Sequence, residues 1–459
     1  MATPPATKSL LGELNGGGAS RPHVMFIPSA GMGHLLPFFR FIASLARHDD
    51  DVDISVVTVL PTVSAAEADH FSGLFAAFPR VRRVDFPSHD RDPFIVRWEA
   101  LRRSAHLIGP LIAGAAPRVS AVITDVTLTS HVIPIAKKLG VQCHVLFISC
   151  ATIKKAEQGP GAGVGAVDIP GVRRIPESCL PQPLLDLNKQ FTKQFIDNGR
   201  ENINADGILV NTFDALEPAA LAALRDGKVV PGFPFPPVYA IGPLRSVVDK
   251  EDSSSSSPVV AWLDKQPARS VVYVAFGNRS AVSHAHIREI AAGLEASGCR
   301  FLWVLKTTKV DRDDTAELTD VLGEGFLERL HQQQGQGQGQ HGMVTKEWVD
   351  QEALLKHASV GLYLSHSGWN SVTEAAAAGV PLLAWPRGGD HRVNHWSWDG
   401  EDWLVTGEEI AEKVKEVMSD AAVRARATRT GEEAAMAVAE GGTSYRSMQQ
   451  FVSSLKKAT

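Results

Sequence analysis

The sequence predicts an α/β protein of two tandem units, each a parallel sheet covered by helices, facing each other across a cleft. Three observations predict it. Short apolar runs alternate with helix-patterned stretches, as strands buried on both faces require. The alternation halts at the charged, serine-rich "VVDKEDSSSSSPVV" and resumes behind Pro258. The chain has 459 residues, more than one core accommodates and enough for two units of roughly 200 residues each.

In chain order, strands are expected at Val24–Pro28, Val52–Leu60, Val81–Phe86, Ala121–Asp125, Cys143–Ser149, Gly207–Thr212 and Val238–Leu244. Helices are expected at Leu35–Arg47, near Arg97–Ala113 and at Thr127–Lys138. Behind the linker come strands at Ser270–Phe276, Phe301–Lys306, Ser359–Ser365 and Val380–Trp385, with helices at His284–Ser297 and from Trp369. The glutamine- and glycine-rich "HQQQGQGQGQHG" reads as a solvated loop. A helical tail, Glu408–Lys456, is interrupted near "EGGTS" and is expected to cross the two units. The expected boundaries are a disordered leader over 1–20, a first unit over 21–245, a linker over 246–258, a second unit over 259–440 and a terminal helix over 441–459 that packs back on the first unit.

Composition narrows the function. Hydrophobic residues make up 44% and charged residues 21%, ordinary for a globular enzyme, and the net charge of -5 supplies no basic field for nucleic acid. No uncharged apolar run is long enough for a bilayer span, and the leader has no signal-peptide pattern. The four cysteines lack metal-type CxxC spacing and fit a reducing cytosol. The triplets Asp90-Arg91-Asp92 and Asp311-Arg312-Asp313 read as solvated loops rather than metal ligands. "IPSAG" lacks the first glycine of a nucleophile elbow. "GMGHLL" has Leu36 where a dinucleotide fingerprint needs its third glycine.

The chemistry concentrates between Trp348 and His391, in "WVDQEALLKHASVGLYLSHSGWNSVTEAAAAGVPLLAWPRGGDH". A strand ends at Ser365, the turn "HSGWNS" follows, and a helix opens whose first N–H groups belong to Trp369, Asn370 and Ser371. Such a terminus suits a phosphate, and His366 can add a hydrogen bond. Glu374, one turn on, can accept from ribose hydroxyls. Trp348 offers a face to a base and Gln351 a polar edge, while Asp390 and His391 suit sugar hydroxyls. These are the parts of a nucleotide sugar, in order.

This segment resembles the signature box of the plant family-1 UDP-glycosyltransferases, which usually opens with Trp, contains HCGWNS followed by Glu, and closes with Asp-Gln. The stretches "IPSAGMGHL", "VVTVLPTVSAAE", "VDIPGVRRIP", "NTFDALE", "PARSVVYVAFG" and "LGEGFLERL" are similar to the grass flavonoid C-glycosyltransferases. The resemblance implies a GT-B fold, with the acceptor held by the first unit and the donor by the second. It implies Trp348 on the uracil, Gln351 and Glu374 on the ribose, His366, Asn370 and Ser371 on the diphosphate, and Trp369, Asp390 and His391 on the sugar. Val349, Gly368, Gly277 and Asn278 complete the implied donor site.

His34, on the loop expected after the first strand, is then the implied general base, since imidazole titrates near operating pH. Asp125, at the end of a later strand, is its implied partner; capping the next helix is its alternative role. The implied reaction is an inverting, metal-independent transfer of a sugar, glucose first, from a UDP-sugar to a flavonoid-type phenol, forming a C-glycoside on 2-hydroxyflavanones; the alternatives are a flavonoid O-glycosyltransferase and a UDP-sugar-binding relative whose catalysis is impaired by two short segments. The UDP-sugar is a co-substrate, so no cofactor is expected. A cytoplasmic monomer is expected, with neither nucleic acid nor membrane as partner. Several features depart from the family pattern. His391 replaces Gln, which leaves galactose and pentoses open as donors. Asn278 stands for the serine of "FGS", Ser367 stands for the cysteine, and the segments 150–167 and 394–399 are short, which would impair the acceptor wall and the donor sheet.

Overall fold

The computed structural model describes residues 21–29, 31–60, 65–87, 103–149, 188, 190–226, 235–247, 257–277, 282–307, 316–332, 341–386 and 405–457. The leader, Asn278, Asp390, His391, both short segments and both Asp-Arg-Asp triplets lie outside them. No described helix is long and apolar enough to cross a membrane.

The first sheet contains β1 (His23–Ile27), β2 (Asp53–Leu60), β3 (Arg82–Pro87), β4 (Ala121–Asp125), β5 (Gln142–Phe147), β6 (Gly207–Val210) and β7 (Val238–Ala240), ordered β3-β2-β1-β4-β5-β6-β7. The second contains β8 (Val271–Ala275), β9 (Arg300–Val304), β10 (Gly342–Thr345), β11 (Val360–Ser365) and β12 (Leu382–Ala384), ordered β10-β9-β8-β11-β12. Every strand pairing in both sheets is parallel. Alternate residues feed opposite faces: Met25 and Ile27 enter one core cluster, Val24 and Phe26 the other. Val272 and Val274 likewise part from Val271 and Tyr273. This is why the strands read as unbroken apolar runs.

The strand order places the crevices. From β1 the chain moves outward through β2 and β3, then returns to β4 and runs the other way. The equivalent reversal in the second sheet lies between β8 and β11. At such reversals neighbouring loops leave in opposite directions, and ligands gather outside the carboxyl ends of the strands.

Several sequence readings change. The first helix spans Met32–His48, so His34 stands in its first turn instead of on a loop. Strand β10 was not foreseen, because four residues opening with a glycine behind a glutamine-rich run carry little strand signal. The helix expected at Arg97–Ala113 is a short one at Ile108–Ala113 behind a 3-10 turn, with 97–102 outside the described residues. The tail forms three helices, Gly407–Ser419, Ala421–Val438 and Thr443–Lys457. Asp420 ends the first and caps the second, and Gly441, at φ 75°, separates the last two. Ile410 and Val414 pack on the second lobe, Ala434 and Ala437 meet Phe213 of the first, and Phe451 lies in the first lobe's core.

Beneath that last helix sits His144 of β5, fully buried, with its ring 5.0 Å from Phe451 and neither ring nitrogen hydrogen-bonded. Burial, against a small opposing pull from Asp206, pushes its pKa down to about 4. The unfolded chain binds a proton below its ordinary value of 6.5 that the folded chain refuses, so stability falls with pH across that window. From pH 7 to pH 5 the loss from this one group is about 2 kcal/mol. Urea unfolding at the two values checks it: His144→Leu should lose less than the wild type, and parallel losses would contradict the assignment.

Candidate functional site

At the β1/β4 crevice, β1 runs into Gly31, whose φ of 91° only glycine adopts readily and whose N–H donates to Glu67 Oε1 at 2.9 Å. The helix then opens and carries His34 in its first turn. Asp125 is the last residue of β4, and its Oδ2 lies 3.0 Å from His34 Nδ1. Oδ1 accepts from the Thr127 N–H at 2.8 Å and its hydroxyl at 2.6 Å, so one carboxylate holds the imidazole and the following turn together. The helix behind it starts at Thr129, two residues after the expected position. Burial alone would raise the Asp125 carboxyl, but the His34 charge and the hydrogen bonds from His34 and Thr127 prevail and hold it below its ordinary value. An ionised carboxylate only accepts, so Nδ1 carries the hydrogen and Nε2 is the basic nitrogen of the neutral ring.

The turn beyond Asp125 has its own support, which the sequence did not reveal. Buried Asn198, on the helix Gln190–Glu201, donates from Nδ2 to the Thr127 carbonyl at 2.8 Å and accepts from the Ser130 N–H at 3.1 Å. Gln194 donates to the same Asn198 oxygen at 3.2 Å. Amides one turn apart on a polar helix are unremarkable in sequence, and only the fold shows what they brace.

At the β8/β11 crevice the helix Trp369–Ala378 opens with no side-chain cap, leaving its first N–H groups to an outside acceptor. The ring of His366 occupies the space that two glycines leave. A Cβ on Gly277 would stand 2.7 Å from it and one on Gly368 2.6 Å from it. Gly277 also holds φ at 70°. Ring and helix terminus are therefore gathered where β8 and β11 end.

Gln351, Ser371 and Glu374 form one buried network. Gln351 Nε2 donates to Glu374 Oε2 at 2.6 Å and its Oε1 accepts from the hydroxyls of Tyr363 at 2.8 Å and Tyr273 at 3.2 Å. Tyr363 also donates to Ser371 Oγ at 3.2 Å. The two phenols stack with centroids 4.9 Å apart, and burial raises both of their pKa values, so they remain donors. From the first lobe, Arg40 Nη2 reaches Glu374 Oε1 at 2.6 Å. Neither tyrosine was singled out in the sequence, although both lie on apolar strands as lone polar rings. Arg40 left a plainer signal, a single charge inside "LLPFFRFIASL".

The two crevices meet. Asn370 Nδ2 approaches the Gly33 carbonyl at 3.4 Å, placing the uncapped helix terminus beside the residue preceding His34. Trp369 turns its indole into the first lobe's core, donating from Nε1 to the Asn211 carbonyl at 2.9 Å. Its side chain is thus committed to joining the lobes, and its backbone N–H is the group left at the helix terminus. Trp348 stands apart, 61% exposed, its ring nearly perpendicular to that of His70 of the first lobe with centroids 6.2 Å apart. Val349, next to it, packs on the second lobe's core.

Comparison with known proteins agrees with this geometry. Residues 210–422 match the family model described as "UDP-glucoronosyl and UDP-glucosyl transferase". The chain is 53% identical to UDP-glycosyltransferase CGT of Oryza sativa subsp. indica over 94% of its own length and 95% of that protein's. Among solved structures it is similar to LpCGTa in complex with UDP, with 43% identity, a TM-score of 0.81, and coverage of 95% of this chain and 99% of that one. It is also similar to UGT71G1 of Medicago truncatula complexed with UDP-glucose, at 26% identity and a TM-score of 0.81, covering 95% and 98% of the two chains. With two parallel-sheet lobes in the GT-B arrangement, the chain belongs to the UDP-glycosyltransferase family.

Proposed function

We propose that this glycosyltransferase moves a sugar, glucose first among candidates, from its UDP carrier to a flavonoid-type phenol with inversion at the anomeric carbon. The observation that carries the reading is a carboxylate-fixed imidazole beside an uncapped helix terminus of the other lobe, bridged by Asn370 and Gly33. His34 Nε2 takes the phenolic proton while Asp125 stabilises the imidazolium that forms. The electron pair released attacks the anomeric carbon, and the bond from that carbon to the β-phosphate oxygen breaks. UDP departs with the pair, its charge met by the first N–H groups of the Trp369–Ala378 helix and by His366. Attack by the ring carbon ortho to the oxygen, followed by loss of its hydrogen, gives a C-glycoside. Attack by the oxygen gives an O-glycoside.

The C-linked product is preferred because the sequence stretches shared with grass flavonoid C-glycosyltransferases run along nearly the whole chain. Uracil on Trp348 and the ribose on Gln351 and Glu374 complete the donor assignment, with Asp390 and His391, which lie outside the described residues, assigned to the sugar. The structures complexed with UDP or UDP-glucose support a nucleotide in this cleft.

Three outcomes test the reading. His34→Ala should lower turnover of UDP-glucose with a phloretin-like acceptor by about 10²- to 10⁴-fold while calorimetry gives an unchanged UDP affinity; near-wild-type turnover would refute the base assignment. An acid-stable product showing cross-ring losses on fragmentation marks the C-link, whereas hydrolysis to free sugar marks the O-link. Gly277→Ala should weaken UDP binding by about tenfold or more, because a methyl group must displace the His366 ring. Unaltered affinity would remove His366 from the diphosphate site.

A further inference from the structure

Arg40 is the one observation the proposed chemistry does not use. It projects from the first lobe's helix Met32–His48, is only 5% exposed, and places Nη2 2.6 Å from Glu374 Oε1 and 3.8 Å from Glu352 Oε2. Both carboxylates belong to the second lobe. The other oxygen of Glu374 accepts from Gln351 at 2.6 Å, so this carboxylate is gripped on one side by its own lobe and on the other by its neighbour. Nε and Nη1 of Arg40 have no hydrogen-bond partner, which makes the acidic pair the main compensation for burying the guanidinium.

Nearby contacts follow the same seam. Glu352 Oε2 also accepts from the Ser246 N–H at 3.0 Å. Phe39, next to Arg40, stacks on His70 with ring centroids 6.1 Å apart, and His70 in turn meets the edge of Trp348. The residues proposed for base and ribose are thus both touched by the acceptor lobe.

We infer that Arg40 is a positioning residue for the nucleotide sugar: it keeps the Glu374 carboxylate aimed at the ribose hydroxyls, so that donor recognition requires the acceptor lobe in place. The inference rests on the proposed assignment of Glu374 to the ribose. A carboxylate that accepts from two neighbouring hydroxyls must be oriented, and the grip of Arg40 on Oε1 and of Gln351 on Oε2 fixes its plane. A bridge that served only to join the lobes would influence every ligand of the cleft equally. One that orients Glu374 influences only ligands with ribose hydroxyls.

Calorimetric titration of UDP and 2′,3′-dideoxy-UDP into the wild type, Arg40→Met, Arg40→Lys and Glu374→Gln separates these cases. The wild type should bind UDP about 10- to 100-fold more tightly than the dideoxy nucleotide. Arg40→Met should lose most of that preference through weaker UDP binding, with little change for the dideoxy nucleotide, and Arg40→Lys should restore part of it. Equal losses for both nucleotides would overturn the inference and leave the ribose assignment standing. A wild type without preference, matched by an unchanged Glu374→Gln, would overturn the ribose assignment and the inference together. Should Arg40→Met not fold, Arg40→Lys carries the comparison: a reduced preference supports positioning and an equal loss for both nucleotides contradicts it.

Discussion

The structure depends on a single trespass: the indole of Trp369, rooted in the second lobe's helix, lies in the first lobe's core and donates to the Asn211 carbonyl. A bulky aromatic ring anchored by its polar atom fixes position as well as burying area. Because Trp369 is the first residue of its helix, anchoring the ring also anchors the uncapped N–H groups next to it. Asn370 is consequently brought to Gly33, and the uncapped helix terminus to the imidazole. Lobes joined only by a smooth interface could slide; lobes joined by a residue at the helix terminus carry the terminus with them.

Around that joint, buried polar groups are paired across short distances. Asp125 faces His34 within the first lobe, and Arg40 faces Glu374 between lobes. Each is a buried arrangement whose desolvation is offset only by close partners, so each is intolerant of displacement. The same stiffness suits the proposed chemistry, where a shift of about 1 Å in the acceptor decides whether carbon or oxygen meets the anomeric centre. The polar ring behind Asp125, built by Asn198, Gln194 and Thr127, holds the aspartate's loop without touching the reacting groups.

Much of the scaffold was legible because parallel strands buried on both faces leave apolar runs that no other element imitates over so short a length. The His34–Asp125 pair was expected from the family resemblance, and the fold joins it because β1, which leads to His34, lies beside β4, which ends at Asp125. What escaped was set by distant sequence. Strand β10 is too short to show its period. Nothing in "HSGWNS" tells that the Trp369 indole donates to the Asn211 carbonyl of the other lobe. Arg40 stood out as a charge in an apolar helix, yet its partners lie more than three hundred residues away. The helix start at Met32 also went unread, since Gly31 supplies the turn from a conformation that composition does not announce.

The most direct measurement is a crystal structure with UDP and a phenolic acceptor bound together. The expected result is the diphosphate on the backbone N–H groups of Asn370 and Ser371 with His366 alongside, and the acceptor hydroxyl at hydrogen-bond distance, about 3 Å, from His34 Nε2. A diphosphate seated elsewhere, or an acceptor hydroxyl turned away from His34 with Trp369 withdrawn from the first lobe, would contradict it.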